Sequence, residues 1–102
     1  LIERNVYKSD GGYRWRSDPR LRLDSPVFLT EPQVLACLKA TDQPTQVLLG
    51  NDGMLTKRET LKPRLEALNP ADMRWFDGAH HLHMDHPDVI GGAVVEFLSQ
   101  FE

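Results

Sequence analysis

Long hydrophobic runs are missing from these 102 residues; the longest is a handful of positions. A membrane-spanning helix needs about 20 apolar residues, and a secretory leader needs a basic head followed by an apolar stretch. Neither pattern is present, so no membrane partner is expected. An excess of positive charge is missing too: 12 Lys and Arg face 15 Asp and Glu, for a formal net charge of −3. Such a chain has no broad basic field to hold a phosphate backbone, and nucleic acid is not expected as a partner. Cysteine occurs once, at Cys37, which excludes an internal disulfide. With no secretion signal, a reducing cytoplasm is the expected setting. Cys37 lies among apolar helix positions and reads as a small core residue. The opening residue is Leu1, and the polar start suggests a piece of something longer. Internal repeats and low-complexity tracts are absent.

Residues 1–29 contain GGYRWRSDPRLRLDSP, dense in Arg, Asp, Gly and Pro and without a sustained period. They read as an irregular connecting segment. Regular patterning begins at Thr30-x-x-Gln33, a capping box ahead of Val34, Leu35 and Leu38 on one helical face. Pro44 closes that helix, and TQVLLG reads as a strand running into Gly50-Asn51-Asp52-Gly53 turn chemistry. A second capping box, Thr56-x-x-Glu59, precedes Leu61, Leu65 and Leu68. Pro63 there either kinks the helix or marks the first turn of one starting near Thr60. Asn69-Pro70 ends it, and DMRWF reads as a second strand. Pro87 suits the first turn of a last helix whose apolar stripe is Val89, Ile90, Ala93, Val94, Phe97, Leu98 and Phe101. Gly91 and Gly92 weaken that helix but allow a neighbour to approach closely. Strand, helix, strand predicts a right-handed parallel βαβ unit, with polar loops leaving the carboxyl ends of both strands.

What is concentrated is histidine. All four lie in GAHHLHMDH, residues 78–86. The letters His81-x-His83-x-Asp85-His86 match the loop of the metallo-β-lactamase superfamily, and imidazole with carboxylate is a sound zinc donor set. That superfamily needs further ligands downstream. Only 16 residues follow His86, none of them histidine, and Pro87-Asp88 stands where its glycines usually continue. The plainest alternative is a polar surface loop, with His83 and His86 exposed or capping the last helix.

LLGNDG resembles the end of the strand that presents the catalytic acid in α/β-hydrolases. WFDGAHHLHMDHPDVIGGAVVEFL resembles the strand, histidine loop and last helix that close that fold. With the intervening helix the likeness covers residues 30–102. GGYRWRSDPRLRL resembles the lid-to-core segment of the serine-hydrolase-like branch, which would make residues 1–29 that connection. The fold implied is α/β: part of an α/β-hydrolase, a short parallel sheet of about two strands with flanking helices.

On that resemblance His80 is the general base and Asp52, 28 residues earlier, the acid that orients it. A serine hydroxyl is a weak nucleophile until an imidazole takes its proton, and a carboxylate on the other ring nitrogen fixes the tautomer. Asp77 and Asp85 would cap or solvate the loop. The Asn51-Asp52 register is open, and the acid could lie on another strand. Ser9, Ser17, Ser25 and Ser99 all lack the Gly-x-Ser-x-Gly elbow, so the nucleophile is expected outside these residues and the chain alone is expected to be inactive. The implied function is hydrolysis of an ester or related acyl small-molecule substrate, with no cofactor. A metal-dependent hydrolase and a noncatalytic interaction domain of the same fold are the alternatives. The two-stranded sheet has unpaired edges, so self-association of the chain is expected.

Overall fold

The computed structural model describes residues 2–101. At its centre are β3 (Gln46–Gly50) and β4 (Asp72–Phe76), joined by α3 (Leu61–Leu68) and paired in parallel with Gln46 opposite Asp72 and Gly50 opposite Phe76. This is the βαβ unit expected, with both strands at the runs TQVLLG and DMRWF. Successive side chains of a strand alternate between faces. Asp72, Arg74 and Phe76 therefore share one face with Gln46, and Met73 and Trp75 occupy the other.

The first face carries α5 (Pro87–Leu98). Gln46 donates from Nε2 to Asp72 Oδ2 at 2.7 Å and to the Ala93 carbonyl of α5 at 3.1 Å, while Arg74 spans Asp72 and Glu96 at 2.9 and 2.6 Å. On the second face Met73 and Trp75 share a groove with Leu61 and Leu65 of α3. Helix α2 (Glu31–Lys39) packs against α3 and is tied to it by the fork of Arg64, whose Nε and Nη2 reach the two Glu31 carboxylate oxygens at 2.9 and 2.7 Å. Helices thus flank a short parallel sheet, an α/β arrangement.

Local chemistry accounts for the element ends. Helix α2 starts after Thr30, whose N–H donates to Gln33 Oε1 at 2.8 Å, one half of a capping box. Helix α3 starts at Leu61, so Pro63 lies in the first turn, where its missing N–H costs no helical bond. Asn69 ends it in the left-handed region at φ 48°. Pro87 is the first residue of α5.

Several expectations are corrected. Residues 1–29 are not irregular throughout: α1 (Ile2–Asn5) leads into an antiparallel hairpin of β1 (Val6–Ser9) and β2 (Gly12–Trp15), then a 3-10 turn at Pro19–Arg22. Asp10-Gly11 makes the turn, with Gly11 at φ 90°, where an L side chain is strained. Thr56-x-x-Glu59 belongs to a run of turns and not to a capping box, and α2 ends at Lys39, before Pro44 takes effect. Cys37 is exposed: α2 packs chiefly against α3, which leaves its outer side to solvent. Only Ile90, Ala93 and Phe97 of the α5 stripe are buried, and a Cβ placed on Gly91 or Gly92 would meet nothing within 4 Å. The core is accordingly small: those three residues with Leu49 and Leu82.

The guanidinium of Arg64 holds the Glu31 carboxyl below its usual range, and Arg74 does the same for Glu96. A depressed folded value means that the stabilisation is present above the ordinary carboxylate pKa and lost as pH falls through the lowered one. Urea midpoints should therefore fall on acidification below about pH 5, and less steeply in a Glu31→Gln, Glu96→Gln double variant. Equal slopes for the two proteins would show that these pairs do not couple folding to protons.

Candidate active site

Because β3 and β4 are parallel and in register, Asn51 and Asp77 are the first residues beyond the same end of the sheet. The pairing continues past the strands: the Asn51 N–H donates to the Phe76 carbonyl at 2.9 Å and the Asp52 N–H to the Gly78 carbonyl at 3.0 Å. Asn51 Nδ2 donates to Asp77 Oδ1 at 2.7 Å, a side-chain clasp directly across the pair. Thr56 closes the first loop, its hydroxyl donating to the Gly53 carbonyl at 2.6 Å and to that of Asn51 at 3.3 Å.

Glycine is required where the loops touch. A Cβ on Gly50 would lie 2.6 Å from the Gly78 carbonyl oxygen and closer still to that of Ala79, both fixed backbone atoms. Gly78 has φ 138°, and a Cβ there would meet Leu82 Cδ2 at 2.9 Å and the His86 ring at 3.6 Å. His86 therefore lies over Gly78.

Asp52 and His80 thus leave the carboxyl ends of neighbouring parallel strands, on loops hydrogen-bonded to each other. Both side chains are exposed. Among the described residues no hydrogen bond joins the Asp52 carboxylate to the His80 imidazole, which instead lies edge-on to His81 at 5.3 Å between ring centroids. Catalytic hydrogen bonds commonly tighten only when substrate is bound.

The other histidines are spread by a short helix, α4 (Leu82–Asp85), that sequence reasoning missed. Leu82 turns into the core, and helical residues two apart do not face each other, so His83 and Asp85 diverge. Among the described residues no three His, Cys, Asp or Glu side chains gather in a way that could hold a metal ion. The Asn51–Asp77 clasp was also missed; its sequence signal is that each residue directly follows a strand, at matching register. Ser25 and Ser99 spend their hydroxyls on the Val27 and Glu96 carbonyls. The sheet end therefore offers an imidazole and carboxylates, and the hydroxyl in its first loop, that of Thr56, is engaged by the Gly53 and Asn51 carbonyls.

No family model matches the chain. Over 96% of its length it is 27% identical to a serine hydrolase-like protein of Danio rerio, covering 32% of that protein. It superimposes with a TM-score of 0.71 and 25% identity on a thioesterase domain from the curacin biosynthetic pathway, over 94% of the chain and 35% of the domain. It superimposes with a TM-score of 0.75 and 32% identity on a hypothetical protein of Pseudomonas aeruginosa PAO1, over 99% of the chain and 36% of that structure. The chain spans about a third of the length of each protein it matches. These likenesses support an α/β-hydrolase or thioesterase type of fold. Among the described residues no helix is long and apolar enough to cross a membrane.

Proposed function

We propose that the chain is the histidine- and acid-bearing part of a serine hydrolase of α/β-hydrolase fold, acting on an ester, thioester or related acyl substrate. His80 is the general base, Asp52 orients it, and the nucleophile is a residue that these 102 positions do not contain. One observation carries the reading: the loops bearing Asp52 and His80 leave the same end of paired parallel strands, bound together through the Asp52 N–H and the Gly78 carbonyl. Ligands of open parallel sheets bind at that end. Residues 1–29 are the connection between a lid and the core, the substrate is a small molecule, and the setting is cytoplasmic.

Substituting Asp52→Asn in the enzyme that carries this chain should lower kcat for ester hydrolysis by roughly 10⁴-fold with KM little changed, since the loss is of imidazole orientation. Asp77→Asn, which only loosens the clasp to Asn51, should cost far less. Full activity of the Asp52→Asn enzyme would remove Asp52 from the mechanism, and a larger loss at Asp77 would move the role there.

The same reading predicts that the 102 residues by themselves associate. Each strand of the parallel sheet has a free edge, and Val89, Val95, Leu98 and Phe101 of the last helical segment are more than half exposed. Sedimentation should show dimers or larger species that shift with concentration. A monomer at every concentration would sink this expectation.

A further inference from the structure

Away from the loops of the sheet, β2 and the 3-10 turn after it enclose a cleft of about 660 Å³. Tyr7, Arg14 and Arg16 line it from one face of the hairpin, Tyr13 and Trp15 reach it from the other, and Arg22 comes from the turn. Trp15 is 65% exposed and Tyr13 77% exposed, an unusual cost for large rings unless something covers them. The guanidinium of Arg16 stands over the Tyr7 ring, 5.5 Å from its centroid, which orients it without neutralising it.

The one acid in the cleft is already committed. Asp18 receives the backbone N–H, Nε and Nη2 of Arg20 at 2.8, 3.0 and 2.6 Å, and that fork keeps its carboxyl below the usual range. Among the described residues Arg14, Arg16 and Arg22 form no ion pair. Residues 1–29 hold six Lys and Arg against four Asp and Glu, whereas residues 30–102 hold six against eleven. The positive charge of an acidic chain is thus gathered where its aromatic side chains are most exposed. Guanidinium forks match planar or tetrahedral oxyanions, and open rings match a flat or apolar body.

We propose that this cleft binds an amphipathic small-molecule anion, a carboxylate, sulfate or phosphate carried on an apolar or aromatic body. The inference does not depend on the roles of His80 and Asp52. Naphthalene-2-sulfonate is a suitable probe, followed through the indole N–H signals of Trp15 and Trp75 in a ¹⁵N-labelled protein. Trp15 should shift and saturate while Trp75, on the sheet, stays in place. The uncharged 2-naphthalenemethanol and inorganic sulfate alone should each bind at least about tenfold more weakly, because each offers half of the recognition.

An Arg14→Gln, Arg22→Gln variant should lose about tenfold in affinity or more, and a Lys57→Gln, Lys62→Gln variant, which removes the same charge elsewhere, should lose little. Amide dispersion of residues 6–15 in the same spectra reports whether the hairpin persists in each variant. An unmoved Trp15 overturns the site, whether or not the hairpin is formed, as does equal binding of the uncharged analogue. Capture of the chain by vesicles containing phosphatidylglycerol, without saturable binding of the sulfonate, would also overturn it in favour of a lipid surface.

Discussion

On the proposed function, His80→Ala in the protein that carries this chain should lower kcat for ester or thioester hydrolysis by roughly 10⁶-fold and leave folding intact. The size follows from the role. Without an imidazole to accept its proton, a hydroxyl nucleophile falls back to residual catalysis from binding and transition-state electrostatics. The tolerance follows from the place, since His80 is an exposed turn residue that contributes no buried surface. His83→Ala and His86→Ala should cost little in rate, though His86→Ala removes a ring that lies over Gly78. A dinuclear metal loop predicts the reverse order, with His81, His83, Asp85 and His86 each essential and chelator abolishing turnover. A near-normal His80→Ala enzyme that loses activity to chelator would therefore overturn the assignment.

Gly50→Ala should be the most damaging alanine substitution among the glycines. Its added carbon would sit 2.6 Å from one backbone oxygen and nearer to another, and neither can rotate away as a side chain could. Relief requires β3 to part from the loop after β4, which breaks the hydrogen bonds from Asn51 and Asp52 to Phe76 and Gly78. Overpacking of this kind costs about 1–3 kcal/mol or more, and here it also separates the two loops of the candidate site. Urea unfolding should show the loss, and kcat should fall with it. Gly91→Ala is the contrast, because its Cβ would enter open space and a helical alanine is about 1 kcal/mol better than glycine. If Gly50→Ala matched the parent in both stability and rate, the close contact between the loops would not exist in solution.

Much of the central unit could be read from residue order. TQVLLG and DMRWF are apolar runs bounded by turn residues, Pro63 and Pro87 fall where only a first helical turn admits proline, and a helix between two strands dictates parallel pairing. That pairing alone places Asp52 and His80 at one edge. The clasp of Asn51 on Asp77 was hidden because it depends on register, which no local pattern records. The hairpin was hidden because the alternation of Tyr13-Arg14-Trp15 is too short to stand out and Val6–Ser9 has none; β2 is exposed along its whole length and β1 at two of its four residues. Cys37, Gly91 and Gly92 were misread for a shared reason: apolar or small residues on a helix say that a neighbour is wanted, and the described residues supply none there.

The hairpin has a thermodynamic consequence. The described residues extend 52 Å along their longest axis with a radius of gyration of 17.6 Å, against about 13 Å for a compact chain of this length. The five core residues all belong to the sheet and the helices after it, so nothing buried links the arm of residues 2–29 to the rest. Units without a shared core open separately, each with its own free energy. Heating should release the arm before the βαβ unit, and circular dichroism and Trp15 fluorescence should trace different curves. A single melting temperature then describes only the last part to unfold. Amide hydrogens of β1 and β2 should exchange with solvent far sooner than those of β3 and β4, even at temperatures where the candidate site is fully formed.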